Sequence, residues 1–260
     1  VFAALPRLRH LDLCANVLTN EGFGPACAAE IRGCKELHYV DISSNRFSQL
    51  HSDLMRAPLI SEMRLSLNPV RAVPPALARM NLLESVIMAH CGLEEVPAEL
   101  VKLPHLRILD LGRNKLAGLP DVFVSQPLRE LRLCRNHLEA LPPTLAACSE
   151  LLEVDLAWNR LTAFPECLVR LPHLERLFMQ YNRIARLPKS VSALSGRGEG
   201  LRELNLEHNQ LQTVSHVALD CKELFIGHNP LRSLDGFKRI KAWELRIASL
   251  HTLYFILLYF

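Results

Sequence analysis

A C-x-x-C pair occurs nowhere in this 260-residue chain. The formal net charge is +3, too balanced to grip nucleic acid or an anionic membrane by its field. Aromatic residues make up 6%, so their positions carry more information than their number. The apolar run from Leu253 to Phe260 falls far short of the ~20 residues that a membrane-spanning helix needs. The eight cysteines, Cys14, Cys27, Cys34, Cys91, Cys134, Cys148, Cys167 and Cys221, are scattered singly and form no cluster at either end. That is the usage of buried or half-buried free thiols in a reducing compartment, as in cytosolic chains; an extracellular receptor arm would call for cysteine caps or a full membrane span in the parent gene. No signal peptide opens the chain, which begins at Val1 rather than methionine, so a fragment of a longer protein is the expectation.

What is present is repetition. Leu106 to Leu116 reads L-R-I-L-D-L-G-R-N-K-L. Leu109 and Leu111 stand two apart, as on one face of an extended strand. Asn114 follows where that strand has to bend away, and its side chain offers a donor and an acceptor to backbone groups left unpaired by the turn. One copy cannot bury its own leucines, but copies stacked side by side can. With the asparagine as marker, copies fall at Asn16, Asn45, Asn68, Cys91, Asn114, Asn136, Asn159, Asn182, Asn209 and Asn229, and an eroded one is centred on Leu250. Only Cys91 among the ten replaces the asparagine, with a thiol that makes weaker hydrogen bonds.

The spacing shows what must return behind each strand. The step of 29 residues from Asn16 to Asn45 has room for a helix entered after Pro25. From Asn45 to Asn182 the steps are 22 or 23, with second halves such as Phe164-Pro165 with Leu168 and Leu171, and Leu187-Pro188 with Val191 and Leu194. Apolar residues three apart suit a short helical or 3₁₀ turn, and proline can start one because the first turn needs no backbone donor. The step of 27 to Asn209 inserts Ser195 to Gly200, read as a flexible excursion, and the step of 20 to Asn229 shortens the return.

The pattern L-x-x-L-x-L-x-x-N-x-L resembles that of leucine-rich repeat proteins, and the likeness covers nearly the whole chain. The resemblance implies an α/β solenoid: a horseshoe with a parallel concave β-sheet and short helical or 3₁₀ convex segments. It implies one array of about eleven coils over residues 1–252, with 253–260 an apolar tail at a fragment end. The repeats with L-P-x-x-L-x-x-L are similar to the typical intracellular group that includes Ras-pathway scaffolds, adenylate cyclases and Roco-type GTPases. Secreted members usually carry cysteine-rich caps, and their absence here implies a cytoplasmic setting.

In such a sheet the two central leucines face the core and their neighbours form outward columns. The column before the first central leucine includes Glu130, Glu153, Arg176, Glu203 and Glu223; the column between the leucines includes Arg132, Asp155, Phe178, Asn205 and Phe225. The column just before the asparagine is small or apolar at first, then runs Arg113, Arg135, Trp158, Tyr181, His208, His228. Binding hot spots are enriched in Trp, Tyr and Arg. The candidate partner-binding residues are therefore Arg113, Arg132, Arg135, Asp155, Trp158, Phe178, Tyr181, His208, Phe225 and His228. The alternative is an ordinary solvated sheet whose residues are fitted to one another by cross-strand pairing.

No arrangement suggests chemistry. Ser43, Ser44 and Asp41 lie together without a matching histidine, and no phosphate loop or ligand cluster stands elsewhere. His208 and His228 with Glu207 are too few for zinc, and a pH-sensitive rim suits them better. The expectation is a non-catalytic, monomeric protein-interaction module in intracellular signalling or scaffolding. Its partner is another protein, with no cofactor, metal, nucleic acid or membrane. The alternative is the regulatory array of a larger enzyme, such as a cyclase, a Roco-type kinase or GTPase, or a ubiquitin ligase.

Overall fold

The computed structural model describes residues 2–31, 33–121, 127–195, 200–214, 217–233 and 239–247. These residues group into two compact units. The first runs through Leu116 and adds 127–131; the second takes 117–121 and everything from Arg132 onward. The coil in each is a short strand, a turn at the asparagine and a return segment behind the strand.

The first unit carries β1 (His10–Asp12), β2 (Tyr39–Asp41), β3 (Glu62–Arg64), β4 (Ser85–Ile87) and β5 (Ile108–Asp110). The second carries β7 (Glu153–Asp155), β8 (Arg176–Phe178), β9 (Leu201–Asn205), β10 (Leu219–Phe225) and β11 (Ile240–Arg246). The boundary in sequence falls inside β6 (Glu130–Arg132). Within each unit strand order follows chain order, and in the second the register keeps like with like: Val154 stands beside Leu177, Leu177 beside Leu204 and Leu204 beside Leu224, all parallel. From β1 to β10 these two-residue alternations send the central side chain inward and its flanks to the open face. Leu37, Ile60, Leu83 and Leu106 line the first core, and Leu151, Leu174 and Leu201 the second, all buried. Each such burial contributes roughly 1.5–3 kcal/mol relative to exposure.

The turn asparagines do what their two-sided chemistry allows. Asn159 Nδ2 donates to Leu156 O at 3.0 Å and Ala157 O at 3.3 Å in its own turn, and to Leu133 O at 3.0 Å in the preceding coil. Its Oδ1 accepts the Leu138 amide of that coil at 3.0 Å. Asn182, Asn209 and Asn229 repeat the scheme, receiving Leu161, Ile184 and Leu211. Cys91 keeps half of it: Sγ donates to Leu65 O at 3.5 Å and Ala89 O at 3.7 Å. A thiol offers no carbonyl oxygen, so the buried Val70 has no counterpart of the acceptor that its equivalents Phe47 and Leu93 find in Asn68 and Asn114.

The return segments follow their prolines. Pro165 and Pro188 stand just ahead of a helical turn over Glu166–Val169 and a 3₁₀ turn over Lys189–Leu194, and their carbonyls accept the amides of Leu168 and Val191, both at 3.1 Å. The long first step does hold a helix, Pro25–Ile31. A second, shorter helix over Asn20–Phe23 precedes it, capped by Thr19 Oγ1 accepting the Gly22 amide at 3.1 Å. The glycine excursion falls largely at 196–199, and the apolar tail at 253–260; both lie outside the described residues. Leu245 occupies the inward register beside Leu224 yet is 40% exposed, because no described coil packs beyond it. No helix among the described residues is long and apolar enough to cross a membrane.

Candidate functional site

Every residue just before the turn asparagine, or before Cys91, has left-handed backbone, with φ from 51° to 59°. For a residue with a Cβ this costs roughly 1–2 kcal/mol. The coil offsets it with a hydrogen bond to the next one: the backbone N–H of Arg135 donates to Ala157 O at 2.8 Å, that of Trp158 to Gln180 O at 2.9 Å and that of Tyr181 to Glu207 O at 3.0 Å. Because the same conformation recurs once per coil, successive side chains leave the chain in one direction and stack.

In the second unit that stack is continuous. The Arg135 guanidinium lies 4.6 Å from the centre of the Trp158 ring. Trp158 and Tyr181 rings are 3.8 Å apart and 13° from parallel, Tyr181 and His208 4.1 Å and 9°, His208 and His228 4.1 Å and 7°. These separations are shorter than the roughly 4.8 Å between strands, so the rings draw together rather than merely inherit the repeat. Trp158 is 43% exposed and Tyr181 36%, a row of aromatic edges on the open side. Burial holds the His208 imidazole below its ordinary pKa; the His228 charge adds to this and Glu207 opposes it.

Beside the row runs an ionic column. Glu153 receives Arg176 at 2.7 Å and Arg132 at 3.6 Å. Glu203 and Glu223 follow in register, then Glu244, which pairs with Arg246 at 2.7 Å. Burial raises the Glu203 carboxyl above the usual carboxylate range; Glu223 and Glu153 add to this, and Arg176 opposes it.

Models of the leucine rich repeat match residues 126–184 and 102–118. The flightless-1 homolog of Caenorhabditis elegans is 35% identical over 104 residues, which are 38% of this chain and 8% of that protein. A leucine-rich repeat protein of Leptospira interrogans superposes with a TM-score of 0.69 at 20% identity, covering 95% of this chain and 74% of the other. The Toll–Spatzle complex of Drosophila gives 0.73 at 25% identity, covering 88% and 31%. The chain spans 13% or less of the length of three of its curated relatives.

This is a leucine-rich repeat protein.

Its repeats bring together seven of the ten candidate residues directly. Arg135, Trp158, Tyr181, His208 and His228 form the row, while Phe178 and Phe225 flank Asn205 in the neighbouring column. Arg132 joins through Glu153. Asp155 closes its own turn, where its Oδ1 accepts the Ala157 amide at 2.9 Å, as Asp110 does for Gly112 and Asp41 for Ser43. Arg113 sits in the first unit at the same left-handed position. The parallel stacking of His208 on His228 keeps their in-plane lone pairs from converging, which a metal would require.

Two features lie outside the ten candidate residues. Glu203 and Glu223 stand in an outward column, and their like charge at successive register positions is the available signal. Asp12, Cys14 and Asp41 place ligand-type atoms within 4.8 Å of one another, but Asp12 and Asp41 accept the amides of Cys14 and Ser43 at 2.9 and 2.8 Å, as turn-closers. The eight cysteines are free thiols; Cys14 is exposed, against expectation, because among the described residues only β2 pairs with β1 and its other edge is uncovered. Burial pushes Cys91, Cys148 and Cys167 up to about 11 and Cys221 to about 12, which keeps them protonated and unreactive.

Proposed function

We propose that this leucine-rich repeat protein is a non-catalytic module that binds a partner protein on the open sheet face of its second unit. The observation that carries this is the unbroken row Arg135–Trp158–Tyr181–His208–His228. Five side chains already ordered against one another, three of them (Arg135, Trp158 and Tyr181) of the types that dominate binding hot spots, contribute contact area while losing little conformational freedom on association. Free cysteines favour a reducing, intracellular setting, and signalling or scaffolding is the role we assign, as a monomer without cofactor. The test is capture of partners from an extract with the intact chain and with Trp158→Ala/Tyr181→Ala. Recovery of a specific partner should fall by about 30-fold, the equivalent of roughly 2 kcal/mol. Equal recovery would remove the face.

A second reading is the regulatory array of a larger enzyme such as a cyclase, Roco-type kinase or ubiquitin ligase. It is favoured by the small share that the chain covers of its curated relatives, one of them named a probable inactive serine/threonine-protein kinase. Immunoblotting of the native protein with an antibody to this chain separates the two: a product far larger than 29.4 kDa supports the second.

A further inference from the structure

The open face of the second unit carries a charge that its own side chains do not balance. Glu203 and Glu223 stand beside each other on β9 and β10, and neither has an ion-pair partner among the described residues. The guanidinium groups on either side are committed: Arg176 to Glu153 at 2.7 Å, and Arg246 to Glu244 at 2.7 Å. Side chains in register on adjacent parallel strands lie about 5 Å apart, so two carboxylates there repel. Phe225 follows Glu223 on the same face with Phe178 two strands away, both half-buried. The protein itself shows what these surfaces accept. Arg246 lies 5.2 Å from the Phe225 ring centre, Arg135 4.6 Å from that of Trp158 and, in the first unit, Arg64 5.4 Å from that of Tyr39.

We propose that the partner presents an arginine or lysine on an extended segment, with the cation between Glu203 and Glu223 and its aliphatic stem along Phe225. The segment's neighbouring residues then lie against the Trp158–Tyr181–His208 row. Charge complementarity fixes the occupant. A cation removes the Glu203–Glu223 repulsion, a neutral side chain leaves it in place, and an acidic one adds to it. Burial first, then the neighbouring Glu223 charge, raises the Glu203 carboxyl, and Arg176 on the adjacent strand opposes this. This inference rests on the protein-binding reading above and narrows it to a basic partner segment.

The test uses the full chain and a fluorescein-labelled glycine–serine peptide bearing spaced arginines, with the same peptide carrying neutral citrulline in their place. Fluorescence anisotropy should show the arginine peptide binding at least about tenfold more tightly than its citrulline twin, a difference of about 1.4 kcal/mol. Glu203→Gln/Glu223→Gln should weaken it by a similar factor, whereas Glu139→Gln, at an exposed position outside the outward columns, should not. Amide shifts in the ¹⁵N spectrum should concentrate at Glu203, Glu223 and Phe225 and confirm that the double variant is folded. Absence of binding, equal binding of the citrulline peptide, or an equal loss with Glu139→Gln would overturn the cation site. Partner capture keeps the two proposals apart. Capture that depends on Trp158 and Tyr181 but not on the glutamates removes only the cation site, and capture indifferent to both removes the binding face as well.

Discussion

The left-handed turn position holds Ala15, Ser44, Leu67, His90 and Arg113 in the first unit, and Arg135, Trp158, Tyr181, His208 and His228 in the second. The backbone is the same in both, with φ between 51° and 59°. In the first unit the ring contacts on the open face are those of Tyr39, with His10 at 5.8 Å and tilted by 44°, and with the Arg64 guanidinium. In the second the turn position itself becomes a stacked row of five. The coil therefore determines where a side chain goes, and the residue type determines whether the column becomes a surface that a partner can use.

If the frame is common to both units, damage to it must cost the same in each. Asn114→Leu and Asn159→Leu should each destabilise by about 3 kcal/mol, since buried backbone donors and acceptors in two coils lose their partner. Chemical denaturation measures this, and a loss confined to one unit breaks the comparison. The next largest effect belongs to the second unit alone. Trp158→Ala/Tyr181→Ala should cost roughly 2 kcal/mol of partner affinity, while Leu67→Ala/His90→Ala in the first unit should change it by less than about 0.5 kcal/mol. Calorimetry on the captured partner distinguishes them. A smaller effect repairs the first unit's one departure. Cys91→Asn should stabilise by about 1 kcal/mol by offering the Val70 amide an oxygen; an unchanged denaturation midpoint would remove the importance given to that acceptor.

The smallest effect depends on pH. In the folded chain the His208 pKa lies below its ordinary value near 6.5, so the unfolded chain binds more protons as pH falls through that value. Stability should therefore decline below about pH 6.5. His228→Ala should make the decline shallower, because it removes one of the two causes of the lowered pKa. An unchanged slope in a pH series of denaturation curves would detach the pair from stability.

Much of this is legible in the chain because the repeat is a register. Once Asn114 and Asn136 are aligned, Trp158, Tyr181, His208 and His228 fall into one column, and the parallel sheet makes a column in sequence a row in space. The same reasoning places the helix after Pro25 and the turns after Pro165 and Pro188. It cannot place the rings themselves. That they close to 3.8–4.1 Å goes with the left-handed φ before each asparagine, a conformation that nothing in Trp or Tyr favours and that is held by hydrogen bonds from each backbone N–H to the next coil and by the asparagine side chain within the turn. Asp155 shows a related limit. A carboxylate two residues before an amide has a local use as a turn-closer, which a column-by-column reading of an outward face does not weigh.

The most direct test of the row is a set of nuclear Overhauser measurements on the aromatic protons of the free chain. Strong cross-peaks between the Trp158 indole and the Tyr181 ring, and between Tyr181 and His208, are expected from centroids 3.8 and 4.1 Å apart. Assigned rings without those cross-peaks would mean that successive coils do not hold these side chains in one row.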